Sequence, residues 1–392
     1  MLSVLADSLR VTGLLILRIG VDAHSLEGLR TGARGRYLLS IVKEWAEMDT
    51  GDDQFFLYFQ KNIPSWDFLR HEKFVKKILK GPLGISGFTL YYNVFLPRAA
   101  GRDKVDACFF PFYMLPYFYR RGNAVVAIHD LAFVAHPEWF SWKHRIPLQF
   151  LARKASKKAK YVIVPSEFSK NEVLSRFHMA PGRVKVTYLA PDAIFSPEKD
   201  LDAINRVKAK FGLKKRYFLG VGTVFTRRHV EKVISAFSAI GGGDWQFFIA
   251  GRDLTNPPLH IDLLVSEINR RAGREMVIRR DFVEDNDLVF LYSGADFCVY
   301  LSTYEGFGIP PLEAMASGSI VLTTNYTALR ESVNGAGCII KDPTNIQEIR
   351  NALEGLMTNE ELRNDLRKKG NEWVKQFSWR KTAEETLEIL KN

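Results

Sequence analysis

The stretch from Thr303 to Val321 has the sequence TYEGFGIPPLEAMASGSIV and contains two acidic residues, Glu305 and Glu313. Gly306 and Gly308 lie between the two acids, and glycine lets a backbone turn where any side chain would collide. The turn separates the two carboxylates, which therefore need not share one helix face. We expect them to contact different parts of one ligand.

The turn itself is a candidate anion site. Pro310 or Pro311 suits the first turn of a helix, whose positive end then faces the turn. The backbone N–H groups that can point at an anion there belong to Gly306, Phe307, Gly308 and Ile309. Glycines at these positions are also typical of an ordinary strand–turn–helix connection, so the turn alone leaves both interpretations open.

Short apolar runs recur along the chain on the amino-terminal side of this stretch and beyond it. They cover residues 14–21, 55–59, 107–110, 124–128, 161–164, 184–188, 217–221, 246–250, 276–278, 297–301, 320–323 and 338–340. Helical patterns separate them, for example residues 36–48 with Tyr37, Leu38, Ile41, Val42 and Trp45 on one face. This alternation predicts an α/β protein of two Rossmann-like, doubly wound parallel-sheet domains that face a ligand-binding cleft.

The domain boundary is predicted from composition. A length of 392 residues suggests at least two domains. A proline-containing, highly charged segment at 191–215 interrupts the apolar runs. We therefore predict one domain over residues 1–194 and a second over 195–375. Residues 376–392 are expected to form a terminal helix that packs back on the first domain.

The bulk composition is typical of a soluble globular protein, with 46% hydrophobic and 25% charged residues. The early apolar run that ends at Val21 is interrupted by Arg18 and is too short to span a bilayer. Cys108, Cys298 and Cys338 lie far apart among apolar residues, which favours reduced core cysteines and a cytoplasmic location.

The net charge of +11 is concentrated in the first half of the chain. Residues 1–195 contain 28 Lys and Arg against 17 Asp and Glu, so 28 − 17 = +11, and the remainder is neutral. An anionic partner is expected: acidic lipid, a phosphorylated acceptor or nucleic acid. Two basic, partly apolar stretches, 73–80 and 142–160, are either membrane-surface patches or core-packed elements with a solvated face, and we favour surface attachment.

An arginine pair follows the first strand of the second half, in the sequence GVGTVFTRRHVEKVISAF. Gly220 and Gly222 precede a predicted helix, and Arg227 and Arg228 lie at its start. Cations are unfavourable at a helix N-terminus, so the pair indicates a bound anion, and guanidinium groups suit a diphosphate. A solvated basic turn is the alternative.

His129 and Asp130 follow a buried strand in the sequence AVVAIHDLAF, where the imidazole can contact a sugar hydroxyl or a developing charge. A histidine that merely caps the strand end is an equal alternative. Asp285 and Asp287 form an Asp-x-Asp pattern, but they directly precede a helix, and Asp285 is better explained as its N-cap than as a metal ligand. No metal site is predicted. Hydrolase elbows and Gly-Lys-Ser/Thr phosphate loops are missing from the sequence.

Together these motifs resemble those of retaining glycosyltransferases of family GT4, which have the GT-B fold. The opening stretch resembles the Glu-x7-Glu signature of that family, and the resemblance extends over almost the whole chain. The other similar segments are VGTVFTRRH, IHDLAF, PSEFSKNEV and FSWRKTAEETLEIL. Two departures are visible: Arg228 and His229 replace the usual lysine and asparagine, and the loop from Thr31 to Tyr37 has one extra residue.

The resemblance implies a role for each matching residue. Arg227 and Arg228 would bind the donor diphosphate, Glu313 the ribose, and the backbone near Val283 the base. The other donor-binding positions are Gly222, Glu305, Gly306, Phe307, Gly308 and Ile309. Gly32, Gly35, His129 and Asp130 would lie on the acceptor side. Glu305, His129 and Arg227 are the expected catalytic residues.

The implied reaction transfers a hexose with retention, and the leaving diphosphate assists the acceptor hydroxyl, so that neither a protein nucleophile nor a cofactor is required. We favour mannose from GDP-mannose as the donor, and a glycan or lipid-linked acceptor for cell-surface polysaccharide at the cytoplasmic face of a membrane. A UDP-sugar donor is the first alternative. A non-catalytic protein that binds nucleotide or nucleic acid is the second, but acids in the groove argue against nucleic acid.

Overall fold

The computed structural model describes residues 16–28, 33–81, 87–120, 123–214 and 216–392. They divide into two compact units. The first unit takes the described parts of Met1–Pro165 together with Ser169–Tyr188 and Trp379–Asn392, and the second takes Ser166–Phe168 and Leu189–Ser378. The chain thus changes unit at Tyr188, a few residues before the predicted boundary at 194.

Each unit contains one parallel sheet. The strands are β1 (Arg18–Asp22), β2 (Gln54–Phe59), β3 (Phe74–Ile78), β4 (Ala107–Phe110), β5 (Asn123–Ala127), β6 (Tyr161–Val164), β7 (Val184–Val186), β8 (Arg216–Val221), β9 (Trp245–Ala250), β10 (Val277–Arg280), β11 (Phe297–Tyr300), β12 (Val321–Thr324) and β13 (Cys338–Ile340). Over the described residues the sheet orders are β3-β2-β1-β4-β5-β6-β7 and β10-β9-β8-β11-β12-β13. All paired strands are parallel, which confirms the predicted α/β fold class.

Helices connect the strands. They are α1 (Ala33–Glu47), α2 (Phe88–Leu90), α3 (Leu96–Arg102), α4 (Ala132–Ala135), α5 (Trp142–Lys158), α6 (Glu167–Phe177), α7 (Leu201–Lys210), α8 (Val230–Ile240), α9 (Ile261–Ala272), α10 (Asp285–Gly294), α11 (Ile309–Ala316), α12 (Leu329–Ser332), α13 (Ile346–Thr358), α14 (Glu360–Val374) and α15 (Trp379–Lys391). A π-helical turn, Tyr91–Phe95, joins α2 to α3. Within the described ranges, none of these helices combines the length and apolarity that a bilayer crossing requires.

The terminal helix α15 belongs to the first unit, where it packs on α1. The indole N–H of Trp45 donates to the Ala383 carbonyl at 3.0 Å, and the rings of Tyr37 and Trp379 lie 6.2 Å apart. The predicted apolar face of α1 is buried. Its start differs from the prediction, because α1 begins at Ala33 and therefore includes Gly35, which was expected in the preceding loop. Gly32 lies outside the described residues.

The first of the two basic stretches is an edge strand of the first sheet, β3. The ammonium group of Lys73 donates to the carbonyls of Trp45 and Met48 at 3.0 and 2.8 Å, and that of Lys76 donates to the Leu69 carbonyl at 2.6 Å. Lys77 forms an ion pair with Asp103. These contacts support the alternative of a core-packed element for this stretch.

The second sheet has its core around stacked aromatic rings. The ring of Phe218 on β8 stacks on Phe247 and Phe297 with centroids 4.5 and 5.0 Å apart. β8 and β11 are neighbours at the point where the strand order reverses. In open parallel sheets, ligands bind outside the carboxyl ends of the strands at this point. The segments that leave β8 and β11 therefore define the candidate site.

Candidate active site

Glu305 lies just beyond the carboxyl end of β11 and is bonded by side chains from two elements. Its Oε1 accepts hydrogen bonds from Arg228 Nε at 3.0 Å and from the Tyr300 hydroxyl at 2.8 Å, and Arg227 Nε lies 4.0 Å away. Burial raises the pKa of Glu305, but Arg228 and Arg227 outweigh this effect and hold the pKa below its usual value. The carboxyl group is therefore ionised at neutral pH.

Two guanidinium groups share this one carboxylate, so the cluster of Arg227, Arg228 and Glu305 carries a formal charge of +1. The three side chains are only 12–15% exposed. An excess positive charge in such a partly buried position favours binding of an anion.

The arginine pair is not placed as predicted. Arg227 and Arg228 lie in a separate 3-10 turn, Thr226–Arg228, and helix α8 begins only at Val230. His229 separates the two with a left-handed backbone, φ +50°. The chain's own Glu305 supplies one counter-charge, and binding of an anion by the pair remains a prediction.

Gly222 makes room for Arg228. Its φ of +104° disfavours any L side chain, and a Cβ atom there would lie 2.6 Å from Arg228 Nη1. Arg228 Nη1 donates to the Thr223 carbonyl at 2.9 Å, and its Cζ lies 4.8 Å from the ring centroid of Tyr300. These contacts fix the guanidinium in one orientation. Gly222 therefore contributes to the site sterically, through Arg228, and its role in donor binding remains a prediction.

Arg227 is oriented by other contacts. Its Cζ lies 4.3 Å from the ring centroid of Phe225, within the range of a cation–π interaction. Its backbone carbonyl accepts hydrogen bonds from the N–H and the hydroxyl of Thr303, at 3.0 and 3.3 Å. The segment that leaves β8 is thus bonded to the segment that leaves β11, and the two arginines and Glu305 are held together by backbone as well as side chains.

The glycine turn leads into α11 as the sequence predicts, with Gly308 as the N-cap at φ +98°. A Cβ atom on Gly308 would lie 2.6 Å from Leu329 Cδ2, so a side chain does not fit there. Ile309 and Pro310 begin the helix. Because Pro310 and Pro311 have no N–H, the backbone N–H groups at the start of α11 that can donate to an anion are those of its N-cap, Gly308, and of Ile309.

The other two residues of the turn have partners within the second unit. The Gly306 carbonyl accepts a hydrogen bond from the Ser166 hydroxyl at 2.7 Å. The Phe307 side chain is buried, with its ring centroid 5.7 Å from that of Phe377. Phe307 is therefore a core residue by its side chain, and a contribution to ligand binding falls to its backbone.

Glu313 and Val283 are both buried in the second unit. Glu313 lies in the middle of α11, and its Oε2 accepts a hydrogen bond from the Tyr292 hydroxyl at 3.1 Å. Val283 packs into the core from the connection between β10 and α10, so only its backbone is suited to contact a base. The predicted roles of both residues remain predictions.

The Asp-x-Asp pattern belongs to helix α10. The helix begins at Asp285 and its N-cap is Glu284, so the prediction of Asp285 as N-cap is wrong by one residue. Asp287 Oδ2 accepts from Lys210 Nζ at 2.6 Å. Among the described residues there is no group of three or more His, Cys, Asp or Glu suited to hold a metal ion.

His129 and Asp130 lie in the first unit beyond β5 and have structural partners. His129 Nε2 is 2.9 Å from the Pro111 carbonyl, which can only accept, so Nε2 carries the proton. Asp130 Oδ1 accepts from the Ala132 N–H at 2.9 Å, and its Oδ2 accepts from the Tyr113 hydroxyl at 3.2 Å. The contact between His129 and the end of β4 is the capping arrangement that the sequence left as the alternative.

Sequence reasoning missed the tyrosines and one acid–histidine pair. The Tyr300 hydroxyl donates to Glu305, and the Tyr292 hydroxyl donates to Glu313. The sequence signal that could have identified Tyr300 is its position at the end of a buried strand. In the first unit, buried Asp22 accepts from the Tyr91 hydroxyl at 2.8 Å and lies 2.8 Å from His24 Nδ1. Asp22 is the last residue of β1, so a polar residue at a strand's carboxyl end was again the available signal.

Part of the sequence is similar to a known protein family. Residues 202–373, which include the arginine pair, the glycine turn and both glutamates, match the family model described as glycosyl transferases group 1. This part of the chain, less than half of its length, is similar to glycosyl transferases of this group, which supports a glycosyltransferase. The predicted resemblance to GT4-type enzymes is thereby confirmed.

Two curated relatives of this glycosyltransferase are mannosyltransferases by name, and both come from Escherichia coli. It is 26% identical over 385 residues to O-antigen chain mannosyltransferase B, with 91% of this chain and 95% of the relative covered. It is also 26% identical over 270 residues to the serotype-specific mannosyltransferase WbdA, with 68% of this chain covered. The match spans only 33% of the length of WbdA.

Among solved structures, this glycosyltransferase is similar to the sucrose-phosphate synthase tll1590 from Thermosynechococcus elongatus. The TM-score is 0.73 at 19% sequence identity, with 95% of this chain and 98% of the other covered. At this identity the likeness concerns the fold alone. It confirms the predicted GT-B class.

Proposed function

We propose that this glycosyltransferase transfers mannose from GDP-mannose, with retention of configuration, to a glycan or lipid-linked acceptor in the synthesis of a cell-surface polysaccharide. The names of the mannosyltransferase relatives support the choice of sugar. The observation that carries the proposal is the +1 cluster of Arg227, Arg228 and Glu305 at the carboxyl ends of β8 and β11. A sugar nucleotide brings the diphosphate that such a cluster favours.

In the proposed reaction, the bond between the sugar C1 and the diphosphate oxygen breaks and its electron pair stays on the diphosphate. The acceptor oxygen forms a new bond to C1 on the same face, and the acceptor proton passes to the leaving diphosphate. Negative charge develops on the leaving group, where Arg227, Arg228 and the N-terminus of α11 stabilise it. Fixed donors are most effective here because they need no reorganisation as the charge forms.

Within this proposal Glu305 has two tasks. It holds the Arg228 guanidinium through the 3.0 Å hydrogen bond, and it binds a hydroxyl of the donor sugar. Glu313 binds the ribose and the backbone near Val283 contacts the base. His129 lies on the acceptor side, where its Nε2 contact with Pro111 sets the orientation of the ring. No cofactor or metal is part of the proposed mechanism.

A donor panel tests the proposal. Purified protein is assayed for binding and for slow hydrolysis or transfer with GDP-mannose, UDP-glucose and UDP-N-acetylglucosamine. GDP-mannose is expected to bind and react, and Arg227→Ala should weaken both. Arg350→Ala is the matched control, because Arg350 forms an ordinary i,i+4 pair with Glu354 on α13 and is not a member of the cluster. A reaction with UDP-sugars but not with GDP-mannose would show that the donor is a UDP-sugar. If none of the three sugar nucleotides binds, the proposal is refuted.

We also propose that the protein acts as a peripheral protein at the cytoplasmic face of a membrane. The uneven charge supports this proposal, since residues 1–195 contain 28 Lys and Arg and 17 Asp and Glu, so 28 − 17 = +11, which is the whole net charge of the chain. Cytoplasmic leaflets are rich in anionic lipid and attract such surfaces. Nucleic acid is not proposed as a partner.

A further inference from the structure

Helix α5, Trp142–Lys158, exposes a row of large apolar side chains in the first unit. Trp142, Ile146 and Phe150 are 65%, 53% and 64% exposed. They are spaced four residues apart, and at 3.6 residues per turn each step rotates the side chain by only about 40°. The three residues therefore form one stripe along the helix.

The stripe is not the face by which α5 packs on the unit. Ala152 and Ala155 on the opposite side of the helix, and Ala159 directly after its end, are almost fully buried. Arg153 and Lys157 are exposed and, by the same helical geometry, fall within the roughly 80° arc of the apolar stripe. The solvent-facing side of α5 thus begins apolar and ends cationic.

A neighbouring loop extends the stripe. Tyr117 and Phe118 are both more than half exposed, and their rings lie 5.1 Å apart. Lys154 Nζ lies 3.3 Å from the ring centroid of Tyr117 and 5.9 Å from that of Phe150, so it connects the loop to the helix. We call Tyr117, Phe118, Trp142, Ile146 and Phe150 the aromatic patch.

The sequence segments that carry the patch are strongly basic, and the exposed Glu138 just before α5 is an acidic neighbour. Residues 139–166 contain seven Lys and Arg and no Asp or Glu, and residues 107–129 also lack acidic residues. A protein surface that binds another protein by apolar contacts usually loses charged residues at its centre. Exposed Trp and Phe beside a dense basic face are instead typical of helices that lie in a membrane interface.

We propose that the aromatic patch docks the first unit on an anionic lipid surface. Trp142, Ile146 and Phe150 enter the headgroup region, and Lys143, Arg153 and Lys157 contact lipid phosphates. The proposal deepens the proposed membrane association and assigns it to α5 rather than to β3, whose lysines bind carbonyls and Asp103. It is independent of the donor chemistry, because the arginine cluster belongs to the second unit.

Vesicle flotation tests the proposal with the full chain. The wild type is expected to float with phosphatidylcholine–phosphatidylglycerol vesicles and much less with phosphatidylcholine alone. The triple variant Trp142→Ser, Ile146→Ser, Phe150→Ser should bind at least about tenfold more weakly. The matched control is Leu201→Ser, Leu254→Ser, Leu263→Ser, which removes three equally exposed apolar side chains from the second unit and should float as the wild type does.

A second variant separates the charge from the apolar stripe. Arg153→Gln with Lys157→Gln should weaken flotation and flatten its dependence on salt, because two contacts with lipid phosphate are removed. All replaced side chains are exposed, so the circular dichroism spectrum and melting temperature of each variant should match the wild type. Donor binding by the triple variant should also be unchanged, which distinguishes failure of docking from failure of the proposed transfer.

Several outcomes would overturn the docking proposal. These are flotation of the triple variant at the wild-type level, equal flotation of the wild type on neutral vesicles, and no flotation on anionic vesicles. Sedimentation velocity that shows a wild-type dimer and a monomeric triple variant would assign the patch to a second copy instead. If the wild type and the control variant shift duplex DNA in a mobility assay and the triple variant does not, the patch would be assigned to nucleic acid.

Discussion

Arg227 and Arg228 differ in what they do for the fold, although they are neighbours of the same type. Arg228 donates to Glu305 at 3.0 Å and to the Thr223 carbonyl at 2.9 Å, whereas Arg227 Nε is 4.0 Å from the carboxylate. The short contacts make Arg228 the main partner of a largely buried charge. Arg227 lies farther from the carboxylate, and its guanidinium lies over the Phe225 ring.

Replacement of each arginine by alanine should therefore have a different effect. Arg228→Ala leaves the Glu305 carboxylate without its closest cation and is expected to lower the free energy of unfolding by about 3 kcal/mol. Arg227→Ala should cost less than about 1 kcal/mol in stability but weaken nucleotide-sugar binding by about 1.5 to 3 kcal/mol. Urea denaturation and calorimetric titration with donor measure the two quantities. Equal stability losses would contradict the distinction.

The charge of Glu305 also predicts a pH dependence. The pKa of Glu305 lies below its ordinary value of 4.5 in the folded protein, so the folded state binds fewer protons than the unfolded state as pH falls. The stabilisation is complete above about pH 4.5 and is lost as pH falls through the lower folded-state pKa. The difference in unfolding free energy between wild type and Glu305→Gln should thus shrink in acid.

The control for this pH series is Glu354→Gln, which removes the exposed carboxylate of an i,i+4 pair with Arg350. Exposed pairs contribute little, so its difference from wild type should stay near zero at every pH. A Glu305→Gln difference that stays constant from neutral pH down to below pH 4.5 would show that the carboxylate is not held by the arginines.

At the scale of elements, the site depends on how β8 and β11 end. β8 ends at Val221, and Gly222 turns the chain with φ +104° so that the 3-10 turn can return both arginines toward Glu305. In the connection after β11, which carries Glu305, Gly308 turns the chain in a similar way and is the N-cap of α11. Two parallel neighbouring strands thus deliver opposite charges to one edge of the sheet.

Gly222→Ala should disturb the site, and Gly241→Ala is its matched control. Both glycines have positive φ, but a Cβ atom at Gly241 would meet nothing within 4 Å, whereas at Gly222 it would meet Arg228 Nη1 at 2.6 Å. Each variant should lose about 1 kcal/mol from backbone strain. Only Gly222→Ala should also weaken donor binding, measured by calorimetry. Equal donor affinity in the two variants would separate Gly222 from the placement of Arg228.

At the scale of the whole molecule, the first unit is assembled from distant parts of the chain. Helix α15 closes it, with Leu390 and Ala383 buried and Lys391 paired with Asp53 at 2.7 Å. The apolar face of α1, including Trp45, is covered by this helix. The stability of the first unit therefore depends on the last residues of the sequence.

Leu390→Ala tests this dependence. Loss of a buried leucine side chain is expected to cost about 2 to 4 kcal/mol, because a cavity remains where it packed. Hydrogen exchange measured by mass spectrometry should become faster in α1 and the first sheet and stay unchanged in the second. Ile346→Ala, which removes a solvent-exposed isoleucine from α13, is the control and should alter neither unit. Faster hydrogen exchange in the second unit alone would contradict the packing of α15 in the first unit.

Sequence periodicity was sufficient to predict most of the fold, and the positions of the motifs were sufficient to predict the resemblance to the glycosyltransferase family. Buried strands between helices, and glycine and proline at turns, act through local sterics, so their pattern predicts local structure without knowledge of partners. The exceptions were basic segments. A stretch such as 73–80 has the composition of both a core-packed strand and a surface patch, because lysine stems pack on apolar surface while their ammonium groups stay polar.

The sequence by itself determined two parallel-sheet units, the glycine turn before α11 and the resemblance to the glycosyltransferase group. Only the tertiary structure decided which charges meet. Arg228 and Glu305 are 77 residues apart, and nothing local to either residue tells whether its partner is a ligand or the protein. Likewise, only the packing of α5 showed that Trp142, Ile146 and Phe150 face away from the core. Pairing and exposure are properties of three-dimensional neighbours, and the parallel topology brings these together from distant segments.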